Sequence, residues 1–214
     1  MIRITGLLLA GLIAGCAPAV ASSPGVVSPA ANLPDAVYRA DLIEELNAAR
    51  TDPAGYARKV RAFRALFRGD RIERPGETAI VTNEGTAAVD EAIAFLEAQA
   101  PLPALRGNPG LDQAAGEHAT DQALSGAVAH TGADGSSPAD RMRRRGRWSA
   151  TGEAIAYGPD RAEDVILQLI VDDGVPDRGH RRILFNPVYG LVGSACAPHR
   201  VWRRVCVLDF ARAS

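Results

Sequence analysis

Apolar residues recur at helical spacing in "DAVYRADLIEELNAAR", at Val37, Ala40, Leu42, Ile43 and Leu46, which predicts a helix over residues 35–50. Asp52 as a cap and Pro53 at the first position, where a missing N–H goes unnoticed, open a second helix. The period then breaks. "RGDRIERPGETAIVTNEG" reads as a long loop with room for a short strand, and "TAAVDEAIAFLEAQ" resumes a helix. Asn108 and Pro109 start another, with Leu111, Ala114, Ala115, His118 and Gln122 along one stripe, and Ser137 with Pro138 start a short one. Later the pattern changes. "WSATGEAIAYG" reads as a strand, "DRAEDVILQLIVDD" as a helix capped by Asp160, and "RGHRRILFNP" as an apolar turn that Pro187 ends. "VYGLVGSACA" and "WRRVCVLDFA" form a closing hairpin. Helices first, then strands enclosing one more helix, predict an α+β fold. It is a three-layer α/β/α sandwich with a central antiparallel sheet, one domain over residues 36–214 without internal repeat.

The first residues have a different pattern. Arg3 precedes "ITGLLLAGLIAG", too short to span a bilayer comfortably but as long as a signal-peptide core, so residues 1–15 read as a signal peptide. "IAGC" resembles the bacterial lipobox, which makes Cys16 the lipidation site of an envelope lipoprotein held to the membrane by its N-terminus. A competing exit exists at "AVA", residues 19–21, which would release a soluble periplasmic or secreted protein. The Pro-, Ser- and Ala-rich stretch over residues 16–35 suits a flexible tether.

Composition narrows the partners. A net charge of −1, with Lys59 the only lysine, argues against nucleic acid as a partner. The arginine-rich "RMRRRGR" at 141–147 reads as a solvated helix face that would touch anionic lipid at most. With Cys16 set aside, Cys196 and Cys206 remain on the two strands of the hairpin, and in an exported chain they read as a disulfide. Cys196 and His199 together do not make a nucleophilic site, because no third orienting group lies near them in the sequence.

Polar residues stand at the ends of several elements: His130 opening "HTGADGSSPADRM", Glu153 in "GEAIAYG", Asp172 near a helix end, and His180 in "RGHRRILFNP". With "LNAARTDPAGYA", "NPGLDQAAGEHATDQA" and "CVLDFA" in the same order, the chain over about residues 40–212 resembles the CAP superfamily of cysteine-rich secretory proteins, antigen five and plant pathogenesis-related proteins, also called the SCP domain. The resemblance implies that His130, Glu153, Asp172 and His180 meet in a central groove, with Asp173 as the alternative to Asp172. It also implies that Asn47 and Arg50 tether a helix end. The family pattern continues Gly-Glu with Asn where this chain has Ala154, and a common tryptophan is replaced by Leu169. His118, among alanines, reads as a packed histidine.

Two imidazoles with bound water are able to hold a divalent ion such as Zn²⁺, so His130 and His180 are the candidate metal ligands and Glu153 the group to polarise a bound water. Catalytic zinc sites generally use three protein ligands, and neither a His-Glu-x-x-His helix nor a Gly-x-Ser-x-Gly elbow occurs. The expected function is therefore binding of a lipid or peptide ligand in the groove. Metal-assisted hydrolysis of peptide or cell-wall material, or a purely structural module, are the alternatives.

Overall fold

A computed structural model describes residues 35–214; the expected signal peptide, Cys16 and nearly all of the expected tether lie outside the described residues. Helices α1 (Asp35–Thr51) and α2 (Pro53–Arg64) come first, α2 with Asp52 accepting from the Gly55 N–H as its cap. The expected long loop folds more than the sequence suggested. It carries a small antiparallel sheet of two-residue strands, β1 (Phe67–Arg68), β2 (Arg71–Ile72) and β3 (Ile80–Val81), before α3 (Thr86–Ala98). Strand β4 (Arg106–Gly107) leads into α4 (Pro109–Ser125), where Asn108 accepts from the Gly110 and Leu111 N–H groups and Gly126, at φ 75°, turns the chain out. Ser137 and Asp140 form a capping box on α5 (Pro138–Arg143).

Strand β5 (Trp148–Tyr157), helices α6 (Ala162–Val171) and α7 (Gly179–Leu184), and strands β6 (Leu191–His199) and β7 (Arg203–Ala213) complete the chain. The main sheet has the order β4-β6-β7-β5. Its three long strands are antiparallel, as expected, and β4 adds a short parallel edge beside β6. Asp160 does not cap α6. Arg161 holds that position without a side-chain bond, and Asp160 instead accepts from Arg203 at 3.1 Å.

Strand alternation builds the three layers. Val205 and Val207 on one face of β7 pack with Ile155 against Ala115 and Ala119 of α4. Cys206, Leu208 and Phe210 on the other face join Leu42, Leu46 and Ile166 in the larger core beneath α1 and α6. Gly193 allows the close crossing of β6 and α4, since a Cβ there would lie 2.3 Å from the Asp112 amide nitrogen. Cys196 and Cys206 are register partners and are joined as a disulfide, as the hairpin reading required.

Candidate functional site

Asp172 ends α6 in the left-handed conformation, φ 57°, and this turn aims its carboxylate at the start of α7. There Oδ2 accepts the His180 backbone N–H at 2.9 Å while Oδ1 takes the His180 ring Nδ1–H at 2.6 Å. One carboxylate thus fixes both the main chain and the ring of His180. Asp173 turns the other way, accepting from the backbone N–H groups of Asn83 and Glu84, which settles the choice between the two acids.

His130 is held from the opposite side of the groove. Its Nδ1–H donates to Glu153 Oε1 at 2.7 Å, and Glu153 Oε2 accepts from Arg141 Nη2 at 2.7 Å. The same guanidinium group donates to the His130 carbonyl at 3.0 Å. Both Glu153 oxygens are therefore committed, and its side chain is 1% exposed against 52% for His130. Glu153 orients the imidazole from behind and does not face the groove, so it is not placed to polarise a water there. The two rings stand 6.4 Å apart between centroids, each with Nδ1 engaged and Nε2 left as the nitrogen available to the groove.

The groove itself has a volume of about 690 Å³ and a mostly apolar lining in which Phe67, Ile155, Leu169, Val171 and Trp202 take part beside His130 and His180. Its other polar lining consists of Thr82, Asn83, Tyr157 and Gln168, the Arg74–Asp164 ion pair, and Asp172 and Asp173. Among the described residues no three His, Cys, Asp or Glu side chains converge as a metal cluster.

A cysteine-rich secretory protein family model, CAP, matches residues 43–210. The chain belongs to this family. Solved structures with similar parts include an extracellular SCP-domain protein from Bacillus anthracis, with 20% identity and a TM-score of 0.44 over 52% of this chain. Others are an outer surface protein from Borrelia burgdorferi, with 20% identity and a TM-score of 0.46 over 53%, and a cysteine-rich secretory protein from Staphylococcus aureus, with 16% identity and a TM-score of 0.39 over 64%. The matched parts span 34%, 80% and 44% of those chains, respectively. No curated protein matches the chain significantly.

In this CAP domain the four residues expected to meet do so, as two carboxylate–histidine pairs whose rings face one groove. The replaced tryptophan position, Leu169, lines the groove, but Ala154 does not. Alternation along β5 turns it into the opposite core, so the absent amide takes nothing from the site. Asn47 exchanges two hydrogen bonds with the Leu105 backbone, and buried Arg50 donates to the Leu184 carbonyl at the end of the His180 helix. His118 is buried, donates from Nε2 to the Ala129 carbonyl at 2.8 Å, and is kept below its ordinary pKa chiefly by that burial.

Three supporting residues escaped the sequence reading. Arg141 was taken for part of a solvated basic face, yet it is buried against Glu153. Arg178, in the left-handed region at φ 50°, joins Glu84 and Glu91 and donates to the carbonyls of Asp172 and Val175, tying the loop before His180 to α3. Its bonds hold the Glu84 carboxyl down to about 2. Asp209, fully buried, receives no N–H or O–H on either oxygen. Its neighbour is Glu153, and burial first, then that carboxylate's charge, push Asp209 well above the usual carboxylate range.

Proposed function

We propose that this CAP domain is an exported binding protein whose groove takes an amphiphile, its apolar body along the Phe67, Leu169 and Trp202 side and its polar end at the imidazoles of His130 and His180. The observation that supports this most is the combination of a mostly apolar groove of about 690 Å³ with two oriented ring nitrogens in it. A Zn²⁺ ion would take the same nitrogens. Each Nδ1 is held by a carboxylate, which sets the tautomer that leaves Nε2 to ligate, and the remaining positions fall to water or to the ligand's polar group. Such an ion would act as a Lewis acid toward that group. With only two protein ligands and Glu153 turned away, binding is favoured over hydrolysis.

Export is supported by the family, by the disulfide, which persists in oxidising compartments, and by the apolar run ahead of Cys16. Lipid anchoring through Cys16 is tested by Cys16→Ser, which should move the protein out of the membrane fraction; a mature N-terminus at Ser22 would refute it. The groove is tested by incubating purified protein with an envelope lipid extract, re-isolating it and analysing the organic extract by mass spectrometry. An amphiphile retained by wild type and lost on Val128→Arg, at an exposed position of the groove lining, is expected. Its absence, together with peptide or cell-wall turnover that disappears in His180→Ala, would establish the hydrolase instead; absence of both would leave a structural module.

A further inference from the structure

The turn between β6 and β7 reads "HRVWRR", an apolar pair set between arginines, and the fold places it at the mouth of the groove. Val201 is 64% and Trp202 51% exposed, large values for such side chains on a turn. They are not isolated. Ile80, Val81 and Val128 are exposed as well and line the same groove mouth as Trp202, so three separate loops bring apolar side chains to one rim.

The turn is also stiff. Buried His199 accepts the backbone N–H groups of Val201 and Trp202 on Nδ1 and donates from Nε2 to the Ala127 carbonyl, next to Val128. Its ring packs edge-on against Tyr157, with centroids 5.7 Å apart. The neutral Nε2–H tautomer satisfies all three bonds. A turn whose backbone is fixed in this way presents Trp202 without a further cost of ordering the main chain on binding.

Charge names the occupant. Arg200 and Arg203 flank the apolar pair, and Arg71 stands beside Val81 as its register partner. Arg200 donates to the Leu124 carbonyl yet is exposed, and Arg203 touches Asp160 but keeps its side chain 76% exposed. Indole belongs at the boundary of water and hydrocarbon, and arginines beside it belong among phosphates. We propose that this rim is a docking surface for an anionic phospholipid bilayer, with Trp202 and Val201 inserted at the headgroup level and Arg200 and Arg203 on lipid phosphates. The proposal stands whatever the groove holds. If the groove holds an amphiphile, docking sets its mouth against the source.

The chain has two tryptophans, and Trp148 is half-buried with its indole N–H on the Met142 carbonyl. The full chain carrying Trp148→Phe therefore reports on Trp202 alone, and wild type against Trp202→Phe gives the same signal by difference should Trp148→Phe fail to fold. Mixed with vesicles of phosphatidylglycerol and phosphatidylcholine whose acyl chains are brominated just below the headgroups, Trp202 should shift to the blue and be quenched. Vesicle affinity should fall about fivefold for each of Arg200→Gln and Arg203→Asn, from roughly 1 kcal/mol per arginine at such a surface, and should fall with salt. Pelleting with vesicles while Trp202 stays unquenched would place membrane binding elsewhere, such as at the N-terminal apolar run, and overturn the proposal. So would equal quenching on pure phosphatidylcholine, or sedimentation showing a dimer that Trp202→Ala dissociates.

Discussion

Glu153 and Asp209 are register partners on β5 and β7, which sets two carboxyls side by side on one buried face of the sheet. Arg141 balances one negative charge, through Glu153, and leaves none for a second. Burial and the Glu153 charge thus fall on Asp209 and hold its carboxyl well above the usual carboxylate range.

Stability should record this. A carboxyl whose folded pKa lies above its unfolded value near ~3.9 binds more protons in the folded state over the interval between them, so stability falls as pH rises through that interval. Asp209→Asn keeps an N–H donor toward Glu153 without the titration. The variant should gain about 0.5–2 kcal/mol at pH 8 and less at pH 4, a gain of the size such optimised sites allow. Urea unfolding of both proteins across pH checks it; a variant less stable than wild type at pH 8 would show that the charge is needed.

That pair also shows where sequence reading stops. His130, Glu153, Asp172 and His180 are legible because the short motifs around them and their order along the chain resemble the CAP pattern, although Glu153 lies in the middle of β5. The hairpin cysteines were legible because they lie ten positions apart on two strands of one hairpin. Asp209 sits inside the quoted "CVLDFA" and passed as strand, since its meaning depends on register with a strand far away in the chain. Arg141 reads as surface for a related reason: five arginines in seven residues look solvated, and only the turn of α5 decides which one points inward. The cap expected at Asp160 lies one residue early, because the partner of Asp160, Arg203, comes from the far hairpin.

Removing the staple should weaken the whole domain. Cys206→Ala opens a short loop in the unfolded chain and leaves a buried gap beside the core under α1, which together should cost about 2–4 kcal/mol. Thermal unfolding of the variant and of the reduced wild type should agree in direction. Two free thiols titrated in the oxidised protein would remove the premise.

Arg178 should act on the site without touching the groove. Its left-handed backbone and its bonds to Glu84, Glu91 and two carbonyls hold the loop that presents His180. Arg178→Ala should lose about 1–3 kcal/mol and speed amide exchange in residues 173–180. Acid should loosen the same loop. The Glu84 pKa is depressed to about 2, so its contribution is present above the ordinary glutamate value and is lost as pH falls toward about 2. Exchange unchanged in that loop would show that Asp172 alone is enough.

The pairing of Asp172 with His180 carries the sharpest test of the metal proposal. The carboxylate accepts the ring Nδ1–H on one oxygen and the His180 backbone N–H on the other. An amide at that position accepts on one side only, and because the backbone donor is fixed, its NH₂ must face the ring. Nδ1 then becomes an acceptor, the proton moves to Nε2, and the nitrogen offered to Zn²⁺ is lost. Asp172→Asn should therefore weaken zinc binding by about 10–100-fold, the range seen when a histidine's carboxylate partner is removed. Asn tolerates the left-handed conformation this position requires, so the fold should survive the change. His180→Ala should abolish binding outright with little loss of stability, because the ring faces the groove and is partly exposed. Calorimetric zinc titrations of the three proteins, each checked by circular dichroism, decide the matter. Equal affinity in wild type and Asp172→Asn would mean that the ring nitrogen is not the ligand, and no uptake by wild type would return both histidines to the amphiphile alone.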